Sequence, residues 1–139
     1  MNMDSQPADK VISPKREPRL PPGQLKTDKW PVLHYGSVPR IDLSTWELRV
    51  DGLVEEPQRW NWEQFQALPR VRVTSDIHCV TRWSRYDNVC EGVSIREVLR
   101  RARPRAGARF AVVHAAQGFT TNLPVAELDP HFKGGKEGH

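Results

Sequence analysis

Residues 70–79 read Arg-Val-Arg-Val-Thr-Ser-Asp-Ile-His-Cys. Val71, Val73, Ser75, Ile77 and Cys79 share one parity. A helix would scatter these positions around its surface, whereas a strand sets every second residue on one face. The run is therefore predicted as a strand with that face turned inward and Cys79 at its end. A polar stretch rich in Trp, Arg, Asp and Asn follows, and it is predicted as a loop.

Other segments fit around this strand. Trp-Glu-Leu-Arg-Val-Asp-Gly at 46–52 alternates with Trp46, Leu48 and Val50 together, and it ends on an Asp-Gly turn. Residues 61–69 read as a short helix capped by Asn61, with Gln64 three positions on, Phe65 and Leu68 sharing a face, and Pro69 closing it. Ser94 and Glu97 have the spacing of a capping box. Ile95, Val98, Leu99 and Ala102 then fall at helical spacing, and Pro104 stops the helix. Residues 109–115 and 118–124 are predicted strands. The order β-α-β-α-β-β, with antiparallel hairpins, makes the chain α+β with mixed, mostly antiparallel sheet and short helices, not doubly wound.

The chain has 139 residues, enough for one domain. Seven of its 12 prolines lie in the first 40 residues. Residues 1–19 are accordingly expected to be an extended or disordered tail, 20–128 the domain, and 129–139 an irregular tail. Residues 29–42 should lie across the domain surface, anchored by Trp30 and Leu33. No apolar run approaches the roughly 20 residues that span a bilayer, and the N-terminus lacks a secretory pattern. A cytoplasmic protein with no membrane partner is expected. In a reducing compartment, Cys79 and Cys90 are not expected to form a structural disulfide.

The formal net charge is +4, which is compatible with nucleic acid or a small anion and demands neither. Five arginines occupy 100–109; at a helix C-terminus they are favoured by the macrodipole, so nucleic acid is the less favoured partner. The five tryptophans lie on separate segments and suit packing better than base stacking. His34, His78 and His114 are each more simply structural. A Cys–His pair would need His34 or His114 beside Cys79, since His78 faces away by strand alternation.

A lone cysteine is more often packing than ligand. At a strand end entering a polar loop, with His78 and Arg82 nearby, its thiolate is favoured, and a thiolate suits a soft or high-valent metal. No second cysteine stands at ligand spacing. A metal here would need its other ligands from a non-protein group.

Five stretches then match a known family in order: Trp-Pro-Val-Leu-His-Tyr-Gly-Ser-Val-Pro, Trp-Glu-Leu-Arg-Val-Asp-Gly, the run through Asp-Ile-His-Cys-Val-Thr-Arg-Trp-Ser, Gly-Val-Ser-Ile-Arg-Glu-Val-Leu, and Gly-Phe-Thr-Thr-Asn-Leu-Pro. From about Leu20 to Leu128 the chain resembles the molybdopterin-binding oxidoreductase domain of the sulfite oxidase family, in its short bacterial cytoplasmic form. The resemblance implies a molybdenum–molybdopterin cofactor and two-electron oxygen-atom transfer on a small oxyanion or sulfoxide, with an unidentified electron-transfer partner. It implies Cys79 as the molybdenum ligand and catalytic residue, His34 and Tyr35 as pterin contacts, and Arg82 as a counter-charge to the anionic cofactor. Phe119 replaces a commoner Tyr, and Cys90 replaces a usual Trp, which should open a hole near the site.

Family members continue past the Thr-Thr-Asn-Leu-Pro strand with a Gly-rich turn and a basic, aromatic stretch that 129–139 do not match. The resemblance therefore implies a C-terminally truncated domain with an incomplete pocket wall, weak cofactor binding and self-association through an open sheet edge. Two alternatives stay open: a non-catalytic truncated remnant, and a basic nucleic-acid-binding module.

Overall fold

The computed structural model describes residues 19–130, so the expectations for 1–18 and 131–139 lie outside the described residues. The strands are β1 (Leu25–Lys26), β2 (Glu47–Val50), β3 (Gln58–Asn61), β4 (Arg70–His78), β5 (Trp83–Val93), β6 (Phe110–His114) and β7 (Thr120–Pro124). The α-helices are α1 (Trp62–Gln66), α2 (Ile95–Ala102) and α3 (Val125–Leu128). They form sheets in the orders β1-β5-β4, β2-β3 and β6-β7. β2–β3 and β6–β7 are antiparallel, and β1 lies parallel to β5. Four residues, 79–82, join β4 to β5, a connection that only an antiparallel pair allows. The fold is the α+β, mostly antiparallel class expected from the sequence. Among the described residues no helix is long and apolar enough to cross a membrane.

The described chain divides into two compact units. One comprises the described residues up to Trp30 together with Asp76–Asn88; the other comprises Pro31–Ser75 and the described residues from Val89 onward.

The second unit holds the core. Trp60, Leu68 and Val98 are buried together, with Leu48, Val50, Phe65 and Val93 against them. The alternation of β2 is realised: Leu48 and Val50 are half-buried while Glu47 and Arg49 are exposed. Phe65 and Leu68 share the core face as their spacing requires. Trp46 packs on Trp62 and Phe65, each at 5.3 Å between ring centroids.

Helix α1 begins with a reciprocal cap. The Asn61 side chain accepts from the Gln64 backbone N–H at 2.8 Å, and the Gln64 side chain accepts from the Asn61 N–H at 2.9 Å. Asn61→Ala removes one half of it, and chemical denaturation should register a loss of about 1 kcal/mol. At α2 the expected box does not form. Ser94 Oγ accepts from the Arg96 N–H at 3.3 Å, but Glu97 turns forward along the helix to pair with Arg100 and Arg101, both at 2.7 Å. Two guanidinium partners outcompete one backbone N–H for the carboxylate.

In the first unit, the segment before Trp30 is laced to the hairpin tip. Leu25 donates its N–H to the Arg82 carbonyl and Thr27 to the Ser84 carbonyl, both at 2.9 Å. Arg19 pairs with Asp76 at 2.7 Å and also with Asp87; chiefly through Arg19, the Asp76 carboxyl is held well below the usual carboxylate range. Trp30 stands edge-on to Trp83 at 6.3 Å and under the Arg85 guanidinium at 4.6 Å. Trp30 is held by these ring contacts although more than half of it is exposed, whereas Leu33, also exposed, has no ring or ion contact of that kind among the described residues.

Three further expectations are corrected. Residues 83–93 are not a loop but the longest described strand. The inward face foreseen for β4 is not buried: Val71 and Val73 are exposed, and burial begins only at Asp76 and Ile77. Cys90 is exposed on β5, so its small side chain leaves no void in a core.

Candidate functional site

Cys79 is the first residue after β4, in the turn that opens β5. The Arg82 N–H donates to the Cys79 carbonyl at 3.0 Å, and the Cys79 N–H donates to the Trp83 carbonyl at 2.9 Å. Arg82 has φ 69°. A hydrogen-bonded turn followed by a left-handed residue is a common hairpin connection, and it normally places Gly or Asn where Arg82 stands. The geometry puts the cysteine side chain at the tip of a rigid ribbon, half-buried.

Its sulfur is not left to solvent. Thr81 Oγ1 donates to Cys79 Sγ at 3.2 Å. That hydroxyl first, and the backbone N–H groups of Thr81 and Val80 after it, hold the thiol below the ordinary cysteine range; partial burial acts in the opposite sense. The shift is toward the thiolate, the form that ligates metals.

A second set of bonds fixes the backbone. The Cys79 carbonyl also accepts from Gln24 Nε2 at 2.9 Å. Gln24 Oε1 accepts from the Ser84 hydroxyl at 3.1 Å, and Ser84 Oγ lies 2.7 Å from His78 Nδ1. A carbonyl can only accept, which sets every direction in this chain. Gln24 must present its NH₂ to Cys79 and its oxygen to Ser84. The Ser84 proton is then committed to Gln24, so His78 Nδ1 carries the proton that Ser84 accepts. Ser84 is fully buried. Next to the turn, the Trp83 indole Nε1–H is buried with no hydrogen-bond partner among the described residues.

Arg82, the other sequence candidate in this unit, is exposed and makes no ion pair with a described residue. His34 and Tyr35 belong to the second unit, in an exposed loop. His34 Nδ1 donates to the Gly36 carbonyl at 2.6 Å, and Nε2 has no hydrogen-bond partner among the described residues. Tyr35 rests on Phe119 at 5.3 Å between centroids. Gln117 Nε2 donates to Ser37 Oγ at 3.0 Å, and a Cβ on Gly36, whose φ is 66°, would come within 3.2 Å of Gln117 Oε1. The Phe119 ring and the Gln117 amide thus hold the His34–Ser37 loop in shape. Thr81, Gln24, Ser84 and Gln117 were not among the sequence candidates. Thr81 lies two residues past Cys79 in the same turn, so its reach to the sulfur is local. The others meet their partners across long sequence separations.

Among the described residues no group of three or more His, Cys, Asp and Glu side chains is placed to hold a metal ion. The hairpin offers one soft sulfur, its thiol held below the ordinary cysteine range by Thr81. Such a donor fits a metal whose remaining ligands arrive with a non-protein group. The arginine run at 100–109 is substantially neutralised in place. Arg100 and Arg101 pair with Glu97, and Arg103 with Glu55 and Glu56. That is the behaviour of a solvated helix end.

Comparison with known proteins adds four findings. The family model described as "Oxidoreductase molybdopterin binding domain" matches residues 35–131. The chain is 44% identical over 111 residues to "Uncharacterized oxidoreductase YuiH" of Bacillus subtilis, covering 79% of this chain and 56% of that protein. It is 25% identical over 119 residues to "Putative protein-methionine-sulfoxide reductase subunit YedZ1" of Azospira oryzae, covering 84% of this chain and 45% of that one. The chain therefore spans about half the length of these curated relatives. Among solved structures, the sulfane dehydrogenase SoxCD from Paracoccus pantotrophus superposes with a TM-score of 0.59 at 16% identity, over 68% of this chain and 29% of that one. At that identity the likeness is one of fold.

Proposed function

Because the chain belongs to the oxidoreductase molybdopterin-binding domain family, we propose that it carries the thiolate of an oxygen-atom-transfer site, acting on a small oxyanion or sulfoxide. The cofactor of this domain is molybdenum–molybdopterin. When bound, that group supplies the two-electron redox chemistry; the chain supplies ligation, orientation and charge. Cys79 would be the metal ligand and catalytic residue. The observation that carries this assignment is a half-buried thiol at a rigid turn, stabilised as thiolate by Thr81. Arg82, without a described ion-pair partner, would face the anionic cofactor. His34 Nε2 and Tyr35 would contact the pterin from their loop. The name of the YedZ1 relative supports a sulfoxide as one substrate class. Electrons would pass to or from a separate redox partner. The two free cysteines suit a reducing compartment such as the cytoplasm.

The test is to purify the chain from a host that makes the cofactor and to measure molybdenum and pterin per chain. Molybdenum and pterin retained by the chain, with dye-linked oxidation of sulfite or reduction of a methyl sulfoxide, are expected. Protein free of molybdenum would reject the proposal and favour a non-catalytic domain.

Arg82→Gly separates two roles of one residue. The left-handed backbone costs a non-glycine residue roughly 1–2 kcal/mol, and glycine returns part of this gain through its larger unfolded-state entropy. A net stabilisation of about 0.5–1 kcal/mol is expected in denaturant titrations, together with weaker cofactor retention on dilution. Unchanged retention would remove Arg82 from the site.

A further inference from the structure

We propose that Gln24, which precedes the matched span 35–131, is a positioning residue for the Cys79 sulfur; this rests on Cys79 being the metal ligand. A ligand works when its direction is fixed before the metal arrives, to within roughly 0.5 Å and 10–20°. Two backbone bonds and the Gln24 side chain together hold the backbone of Cys79. Its N–H is committed to Trp83. Its carbonyl has two lone pairs, one taken by the Arg82 N–H at 3.0 Å and the other by Gln24 Nε2 at 2.9 Å. With both ends of the residue held, the Cα–Cβ direction is set. Only the rotation about that bond remains, and Thr81 Oγ1 stops it by holding the sulfur.

Gln24 is itself held from behind. Ser84, fully buried, donates to its oxygen, and His78 donates to Ser84. On the chain side, the Leu25 and Thr27 backbone bonds to Arg82 and Ser84 seat the residue in parallel pairing with β5. The backbone bonds of β1 do not depend on the Gln24 side chain, so the strut can be removed without removing the strand that bears it. A side chain 55 residues away in sequence thus completes the cysteine turn. Outer partners that orient a metal ligand are typically worth roughly 10–100-fold in affinity or activity.

Gln24→Met keeps length and loses both hydrogen bonds. In protein loaded with molybdenum, three quantities are compared for wild type, Gln24→Met and Cys79→Ser: metal content, the electron paramagnetic resonance spectrum of the partly reduced metal, and kcat against KM. For Gln24→Met we expect metal retained, an altered spectrum because the sulfur direction has changed, and kcat lowered about 10-fold with KM held. An unchanged Gln24→Met spectrum beside an altered Cys79→Ser spectrum overturns the strut and leaves the ligand standing. If the Cys79→Ser spectrum is also unchanged, the ligand assignment falls and takes the strut with it. Should Gln24→Met fail to load, hydrogen exchange in the cofactor-free chain decides. The Arg82 amide, which shares the Cys79 carbonyl, should exchange about 10-fold faster while the Trp60 amide is unaffected; equal protection at Arg82 overturns the proposal.

Discussion

Cys79→Ser is expected to abolish turnover while leaving the fold intact. Serine has nearly the same size, and the turn is closed by backbone bonds that the side chain does not enter. What changes is the donor. A hydroxyl is hard and scarcely ionised at neutral pH, so it does not replace a soft thiolate on this metal. Loss of an outer partner of a metal ligand costs roughly 10–100-fold, and loss of the ligand itself should exceed that range. Circular dichroism and the unfolding midpoint should match wild type. Cys90→Ser is the control: Cys90 is exposed in the other unit, and its replacement should leave both activity and metal unaffected. Activity surviving Cys79→Ser, or lost with Cys90→Ser, would mean that the wrong sulfur has been chosen.

The second large effect concerns the β6–β7 hairpin, which is apolar on both faces. In its register Phe110 lies opposite Pro124 and Val112 opposite Asn122, while Ala111 lies opposite Leu123 and Val113 opposite Thr121. On the first face Phe110 is 62% exposed and Val112 57%; on the second Val113 is 47% and Leu123 40%. A two-stranded ribbon alone is marginal in water, and among the described residues each of these strands has one unpaired edge. Covering about 400 Å² of such surface would contribute about 10 kcal/mol at most, which is comparable with the stability of a whole domain. The purified chain is therefore expected to self-associate with increasing concentration in sedimentation velocity. Val112→Lys, which puts a charge at the middle of one face, should shift it toward monomer. A chain that stays monomeric across the accessible concentrations would show that these faces are covered from within.

What could be read in the sequence divides along a physical line. Segments specified by local chemistry were legible. Asn61 and Gln64 cap α1 as their spacing implies, α2 runs over the foreseen residues, and Leu48 and Val50 turn inward. Segments specified by distant partners were not. β5 escaped because its buried positions include Ser84 and Asn88, so no apolar period marks it; its regularity comes from hydrogen-bonded neighbours on both sides. β1 is only two residues long and exists because β5 is there to pair with it. The exposed Val71 and Val73 show the converse error, since alternation reports which face could be buried and not whether anything covers it. The same division holds at the site. The end of a strand announced Cys79, and Thr81 reaches its sulfur from within the same turn. Gln24 became visible only when folding brought it to the Cys79 carbonyl.

The proposed site depends on one bond, from the Cys79 sulfur to molybdenum. X-ray absorption at the molybdenum edge, recorded on loaded wild type and on loaded Cys79→Ser, counts the sulfur neighbours directly. The expected result is one sulfur fewer in the variant, with an oxygen in its place or the position lost. The same sulfur count in both proteins would contradict the account, for the metal would then be held without Cys79.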